Sequence, residues 1–270
     1  MKTPAEDTAG GAADMERRFG GIGRLYGTRA LQTFRRSRVC IIGIGGVGSW
    51  AAEALARSAI GDITLIDLDH VAESNINRQL HALSGTLGMA KVKVMAERIA
   101  QINPDCRIHA LEEHLTHDKL DTLLSGDYDY VIDCVDGYRI KAALVAHCKR
   151  NKIRVITVGG AGGLIDPARI QVADLSRTEH DALFSKTRQL LRQEYGFSRN
   201  LKRRFDIPCV YSLEQPVFPS ADGDISTEKP GNQPAGGLSC AGGLGSVTAV
   251  TATFGMVAAA HVLRKLADRS

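Results

Sequence analysis

The stretch R-V-C-I-I-G-I-G-G-V-G-S-W-A-A-E-A-L-A-R-S-A-I-G-D-I-T-L-I-D-L-D, from Arg38 to Asp69, constrains this chain more than any other. An apolar run, Val39 to Ile42, enters a turn holding Gly43, Gly45, Gly46 and Gly48. A helical segment follows, and a second apolar run, Ile63 to Ile66, ends in Asp67 and Asp69. Glycines let a backbone turn sharply and approach a pyrophosphate, whose charge suits the free N–H groups and positive dipole end of the helix behind it. An acid after the second strand accepts hydrogen bonds from ribose hydroxyls. The unit predicts nucleotide binding.

Strands and helices continue to alternate. Gly88 to Asn103 carries Val92, Met95 and Ile99 at helical spacing, with Pro104 beyond its end. Arg107–Leu111, Asp129–Val135 and Ile153–Val158 read as strands, Leu115–Leu124 and Tyr138–Asn151 as helices. This order predicts an α/β fold with a Rossmann-like, doubly wound, mostly parallel sheet. Arg169–Leu175 alternates as a half-buried strand and predicts an antiparallel C-terminal extension. Ile207–Leu213 adds a strand, and a terminal apolar helix spans 241–266. Cys240 to Ala260 carries no charge, which meets the length of a membrane span. Its Gly, Ala, Thr and Ser content instead predicts a buried helix, at a dimer interface, that a hydropathy scan could flag as transmembrane.

Residues 1–16 read as a flexible tail without an apolar leader, from which a cytoplasmic protein is expected. Residues 17–270 read as one nucleotide-binding domain, within which 176–240 reads as a substrate-binding insertion and mobile loop. Leu25, Leu31 and Phe34 give one short amphipathic helix its apolar face. Six cysteines include no C-x-x-C pair, so neither a structural zinc site nor a disulfide framework is expected.

Loops at the carboxyl ends of parallel strands line the binding crevice of such sheets. Asn75, Arg78 and Gln79, just past Asp69, therefore become candidates for contacting the ligand of the glycine loop, as does Asp136, which alternatively caps the next helix. Lys91 lies in a first helical turn, where a cation opposes the dipole unless it answers an anion. The net charge of +4 neither demands nor excludes a polyanionic partner. The charge is concentrated between Lys186 and Arg204, where Arg188, Arg192, Arg199, Lys202, Arg203 and Arg204 are candidates for phosphate contacts. Tyr195, Phe197 and Phe205 among them suit stacking on unpaired bases or packing in the core. Glu214 to Ser239 is a long irregular segment of the kind that forms lids. Cys240 follows it, a candidate nucleophile or sulfur acceptor, or a bystander thiol.

With these parts laid out, the chain resembles the ubiquitin-activating-enzyme-like adenylyltransferases, the family of the ThiF, MoeB and HesA proteins. The elements that carry the likeness are G-I-G-G-V-G-S at 43–49, D-L-D at 67–69, S-N-I-N-R-Q at 74–79, G-M-A-K at 88–91 and D-C-V-D at 133–136. Within the family, R-R-F-G-G-I-G-R-L-Y-G near the start, the missing zinc cysteines and the V-T-A-T-F-G-M-V-A helix make it similar to the tRNA threonylcarbamoyladenosine dehydratases. The resemblance implies ATP-dependent cyclisation of the threonylcarbamoyl group on adenosine 37 of tRNA, through an acyl-adenylate. It implies that Gly43 to Gly48 hold the ATP phosphates and Asp67 the ribose, and that Asp69 assists near the nucleotide. Asn75, Arg78 and Lys91 then contact phosphates, and Asp136 holds magnesium; Arg78, Lys91 and Asp136 are the catalytic set. ATP and Mg2+ are the implied cofactors, with a monovalent cation as a further candidate. The implied partners are the modified tRNA and a second copy in a homodimer, with a sulfur-transfer protein of a cysteine desulfurase system as another candidate. MoeB-type relatives send an N-terminal arginine into the partner's site; here Gly21 falls near that place, and Arg17, Arg18 or Arg24 are the available substitutes.

Three other functions compete with this one. Activation of a ubiquitin-like sulfur carrier's C-terminus would leave the basic 186–204 segment idle. An NAD-dependent oxidoreductase would leave Arg78, Lys91 and Asp136 unexplained. A tRNA-binding scaffold would consume no ATP.

Overall fold

The computed structural model describes residues 13–125, 127–220, 223–228 and 244–269. Two helices, α1 (Met15–Tyr26) and α2 (Thr28–Arg36), precede β1 (Arg38–Ile42). Asp14 caps α1 by accepting from the Glu16 and Arg17 amides, so helix begins inside the stretch read as tail. Gly27, at φ +93°, breaks what the sequence suggested was one helix. Leu25 falls on the outer side of that break and is exposed, whereas Leu31 and Phe34 are buried.

The chain continues through α3 (Gly48–Ala56), β2 (Asp62–Ile66), α4 (Lys91–Ile102), β3 (Arg107–Leu111), α5 (Leu120–Leu123), β4 (Tyr130–Asp133), α6 (Tyr138–Arg150) and β5 (Val155–Val158). Then come β6 (Ile170–Asp174), α7 (Ala182–Glu194), β7 (Pro208–Ser212), β8 (Phe218–Pro219), β9 (Ile225–Ser226) and α8 (Thr248–Ala267). The main sheet has the order β3-β2-β1-β4-β5-β7-β6, parallel throughout except that β6 runs antiparallel to β7. The order reverses between β1 and β4, and ligands of open α/β sheets bind at such a switch point.

Strand side chains alternate between the two faces. Val39, Ile41, Ile63 and Leu65 join a core with α2, α3, α4 and α8, while Cys40, Ile42 and Val131 join another with α5, α6 and α7. Burial on both faces explains the nearly continuous apolar runs in the sequence. Segment 176–240, read as an insertion, instead supplies α7 and an interior strand, β7, to this framework. The 214–239 stretch is not wholly irregular, since β8 and β9 pair within it.

The terminal helix begins at Thr248 rather than 241, runs past the uncharged stretch to Ala267 and packs on α3 and α2. Among the described residues no helix, the terminal one included, is long and apolar enough to cross a membrane.

Candidate active site

The glycine loop joins β1 to α3 at the switch point. Gly43 sits at φ +86°, and a Cβ there would lie 2.8 Å from the Cys134 carbonyl oxygen at the end of β4. A Cβ on Gly48 would fall 1.9 Å from the Gly43 carbonyl oxygen. Both positions require glycine, because the loop folds on itself and against its neighbouring strand. No side chain caps α3, so its first-turn amides are not satisfied by a cap of their own.

Asp67 fastens this loop to β2. One carboxylate oxygen accepts from the Ile44 amide at 2.6 Å and the other from the Asp69 amide at 2.8 Å. Burial pushes its carboxyl pKa upward, against these donors and the charge of Lys91. Each oxygen keeps a second acceptor direction, so the ribose role expected of Asp67 fits beside the structural one.

Asp69 is exposed, and its carboxylate meets the Lys91 ammonium at 2.8 Å; Lys91 itself is buried. This ion pair answers the dipole conflict seen in the sequence: Lys91 at the start of α4 does face an anion. Arg78 lies against the glycine loop, with its Cγ 3.3 Å from where a Gly46 Cβ would stand. Its guanidinium donates to the Ser74 carbonyl and the Asn77 side chain, and its own carbonyl accepts from the Trp50 indole on α3. Asn75 is buried and accepts from the Ala72 amide, which shapes the loop that carries Arg78. Gln79 is buried near Gly45, with its side-chain oxygen unpartnered.

Asp136 stands exposed in the loop after β4, two residues beyond the carbonyl that backs Gly43. Gly137, not Asp136, occupies the N-cap of α6. An exposed carboxylate beside a phosphate loop suits a hard cation that keeps most of its waters. Among the described residues no group of three His, Cys, Asp or Glu could hold a metal ion, so Asp136 would need phosphate oxygens and water to complete magnesium's shell.

The strand ends at the switch point thus carry Gly43–Gly48, Asp67 and Asp136, with Arg78 against the glycine loop and Lys91 held by Asp69. The basic cluster lies elsewhere. Arg199, Lys202, Arg203 and Arg204 are exposed just before the first residue of β7, at the opposite end of the parallel strands. Arg188 is half-buried and contacts Thr178, and Arg192 stacks on Phe205, 5.2 Å from its centroid. Phe205 is buried and packs edge-on to Phe197, so core packing takes the ring that base stacking would need. Arg18 is also engaged: it donates to the Gln101 and Ile102 carbonyls and so caps α4. Arg24 is exposed. Cys240 lies outside the described residues. Cys40, Cys148 and Cys209 are buried free thiols, whose pKa values burial pushes far above the range of a reactive cysteine.

Two buried groups escaped the sequence reading. The Lys141 ammonium on α6 lies 2.8 Å from Asp133, which also accepts from the Thr157 hydroxyl at 2.6 Å; all three side chains are inaccessible. A lysine on the apolar face of a helix, eight residues past the acid of D-C-V-D, was the available signal. His81 is buried with neither ring nitrogen partnered, and burial, then the charge of Lys91, holds its pKa down near 4.

Beside the crevice is a cavity of about 260 Å³ at the carboxyl ends of β5 and β7. Leu164, Leu183, Pro216, Phe218 and Leu244 give it apolar walls, and Ser212, His180, Asp181 and Glu214 add polar groups. Asp181 accepts from the Gly160 and Phe184 amides, and Glu214 from those of Ile165 and Asp166.

A glycine loop at the switch point, an acid-fastened β2 and two cations over the same crevice define a class of nucleotide-binding protein. Residues 21–270 match the ThiF family, and the chain belongs to it. It is 51% identical to the tRNA threonylcarbamoyladenosine dehydratase of Escherichia coli K12 over 92% of this chain and 93% of that one. Among solved structures it is similar to "TcdA (CsdL)", at TM-score 0.88 and 48% identity, covering 96% of this chain and 97% of the other. It is likewise similar to the E. coli tRNA N6-threonylcarbamoyladenosine dehydratase, TcdA, in complex with ATP, at TM-score 0.85 and 47% identity, covering 96% and 97%.

Proposed function

We propose that this chain is a tRNA threonylcarbamoyladenosine dehydratase that uses ATP to close the threonylcarbamoyl side chain of a tRNA adenosine into a ring. The observation that carries the reading is 51% identity across nearly the whole of a protein of that name. The paired cations of the crevice, Arg78 and Lys91, supply the chemistry such a reaction needs.

In the first step the threonyl carboxylate attacks the α-phosphorus of ATP, and pyrophosphate leaves. Negative charge grows on the phosphate oxygens, which fixed cations stabilise better than water does. The glycine loop and the α3 N-terminus hold the phosphates, Asp67 the ribose, and Asp69 keeps Lys91 turned toward the site. Magnesium, when bound by Asp136, would neutralise phosphate charge. In the second step the ureido group of the same side chain attacks the activated carbonyl and gives up a proton, while the C–O bond to AMP breaks and AMP leaves with the carboxylate oxygen, so that the net loss is one water. No protein nucleophile is needed, which leaves Cys240 a bystander.

Leu68, Ile76, Leu83, Leu87 and Met89 are exposed large apolar side chains concentrated between residues 68 and 89. Apolar side chains left exposed along one stretch support the homodimer reading, and light scattering of the purified protein tests it. For the reaction itself, the protein is incubated with ATP and magnesium plus one of three partners: a tRNA carrying threonylcarbamoyladenosine, its unmodified form, or a ubiquitin-like carrier ending in Gly-Gly. AMP release with the modified tRNA alone supports the proposal; release with the carrier alone replaces it by carrier activation.

A further inference from the structure

The cavity at the ends of β5 and β7 takes no part in holding ATP. The glycine loop follows β1 and the ribose acid follows β2, so the adenosine of ATP extends toward the β2 side of the switch point. The cavity lies on the other side of the phosphates, two strands from β1, or roughly 10 Å at the usual strand spacing. The segment 244–246 ties the two regions together. Leu244 lines it, the next carbonyl, of Gly245, accepts from Gly163, and that of Ser246 accepts from Asn77 beside Arg78.

The charges are sorted between the two spaces. Neither Lys nor Arg lines the cavity, and Asp181 and Glu214 do. A carboxylate or phosphate placed there would be desolvated without a counter-charge. A flat, neutral heterocycle suits its apolar walls. The cations stand outside it instead. Toward the glycine loop and β2 are Arg78, against Gly46, and Lys91, on Asp69. Toward α6, Arg139 and Lys186 both lie over the ring of Tyr138, at 5.0 and 5.5 Å from its centroid. Tyr138 opens α6 directly after Asp136 and Gly137, and Lys186 is one turn along α7 from the cavity-lining Ala182 and Leu183. His180 at the cavity's edge adopts φ +55°, a strained backbone for a residue other than glycine.

We infer that this cavity receives the adenine ring of the modified nucleoside, while the adjoining RNA phosphates lie on Arg139 and Lys186. The assignment rests on the reaction proposed above. The base enters the apolar space, its threonyl carboxylate is excluded toward Arg78, Lys91 and the α-phosphorus, and the strand leaves across the Tyr138 ring. Arg199–Arg204, at the far end of the strands, then meets only parts of the tRNA distant from the modified base.

The test uses the full-length protein with a short anticodon stem-loop carrying threonylcarbamoyladenosine, and with the free modified nucleoside, following AMP release. Ala182→Trp and Thr227→Trp fill the cavity from different walls, since Thr227, just after β9, also lines it. Each is expected to raise KM for both substrates by about 100-fold while leaving KM for ATP unchanged. Arg139→Glu with Lys186→Glu is expected to weaken the stem-loop and reduce its salt slope by about 0.7–1 per cation removed, with the free nucleoside unaffected. Arg203→Glu with Arg204→Glu is expected to leave both short substrates unchanged. If the wild-type protein releases AMP with the stem-loop and both tryptophan variants keep wild-type KM values, the cavity assignment fails and the reaction stands. If the wild type releases no AMP, both fail.

Discussion

Replacing Lys91 by methionine separates a structural ion pair from a catalytic cation. The change keeps most of the apolar stem and removes only the ammonium. The partner carboxylate of Asp69 is 72% exposed, so the pair 2.8 Å apart is screened by water and contributes about 0–1 kcal/mol to stability. Losing a cation that faces charge developing on the α-phosphate costs far more, about 2.7–4 kcal/mol, or roughly 100- to 1,000-fold in turnover. Lys91→Met should therefore unfold in urea within about 1 kcal/mol of wild type while AMP release falls at least 100-fold, by the same transition-state estimate. The folded variant offers a second readout by NMR. The pKa of His81, held near 4 by burial and then by Lys91, should rise but stay below 6.5, because the burial remains. A variant that loses several kcal/mol of stability, or keeps turnover within threefold, would refute a catalytic role for this lysine.

Other perturbations probe the framework behind the site. Lys141→Met leaves Asp133 charged, buried and unpaired and should cost about 3–5 kcal/mol in urea unfolding; adding Asp133→Leu should restore most of that loss. His81 and His261 are both buried, with pKa values near 4 set mainly by desolvation. The unfolded chain therefore binds more protons than the folded one between about pH 6.5 and 4. Stability should fall as pH drops through that window, by about 1–2 kcal/mol per histidine at pH 5, and a His81→Leu, His261→Leu double variant should flatten the midpoint-versus-pH curve there. Cys240→Ala should retain turnover and ATP binding, and lost turnover with normal ATP binding would establish a protein nucleophile.

Much of the site was legible because it is local. Gly43 to Asp69 is one continuous unit, and its spacing alone put a glycine loop and an acid on neighbouring strand ends. Asn75, Arg78 and Asp136 followed from the rule that loops after parallel strands share a crevice. What the sequence could not give was pairing between distant segments. Lys91 looked like a cation opposing a dipole until the fold placed Asp69 beside it. The Lys186–Arg204 charges looked like a single footprint, yet α7 carries its own from one end of the sheet to the other. Lys186 therefore stands near the crevice and Arg204 at the far edge, and only the parallel insertion of β7 next to β5 decides this. The cavity between β5, β7 and the 214–218 segment has no motif, because its walls come from five separate stretches of chain.

In the proposed reaction the substrate's own carboxylate attacks the α-phosphorus. The most direct measurement is a single turnover with modified tRNA whose threonyl carboxylate carries a heavy-oxygen label, read by mass spectrometry of the products. One labelled oxygen in AMP, with a tRNA nucleoside lighter by one labelled water, is the predicted result. Label appearing in inorganic phosphate together with ADP, or AMP formed without label, would contradict it.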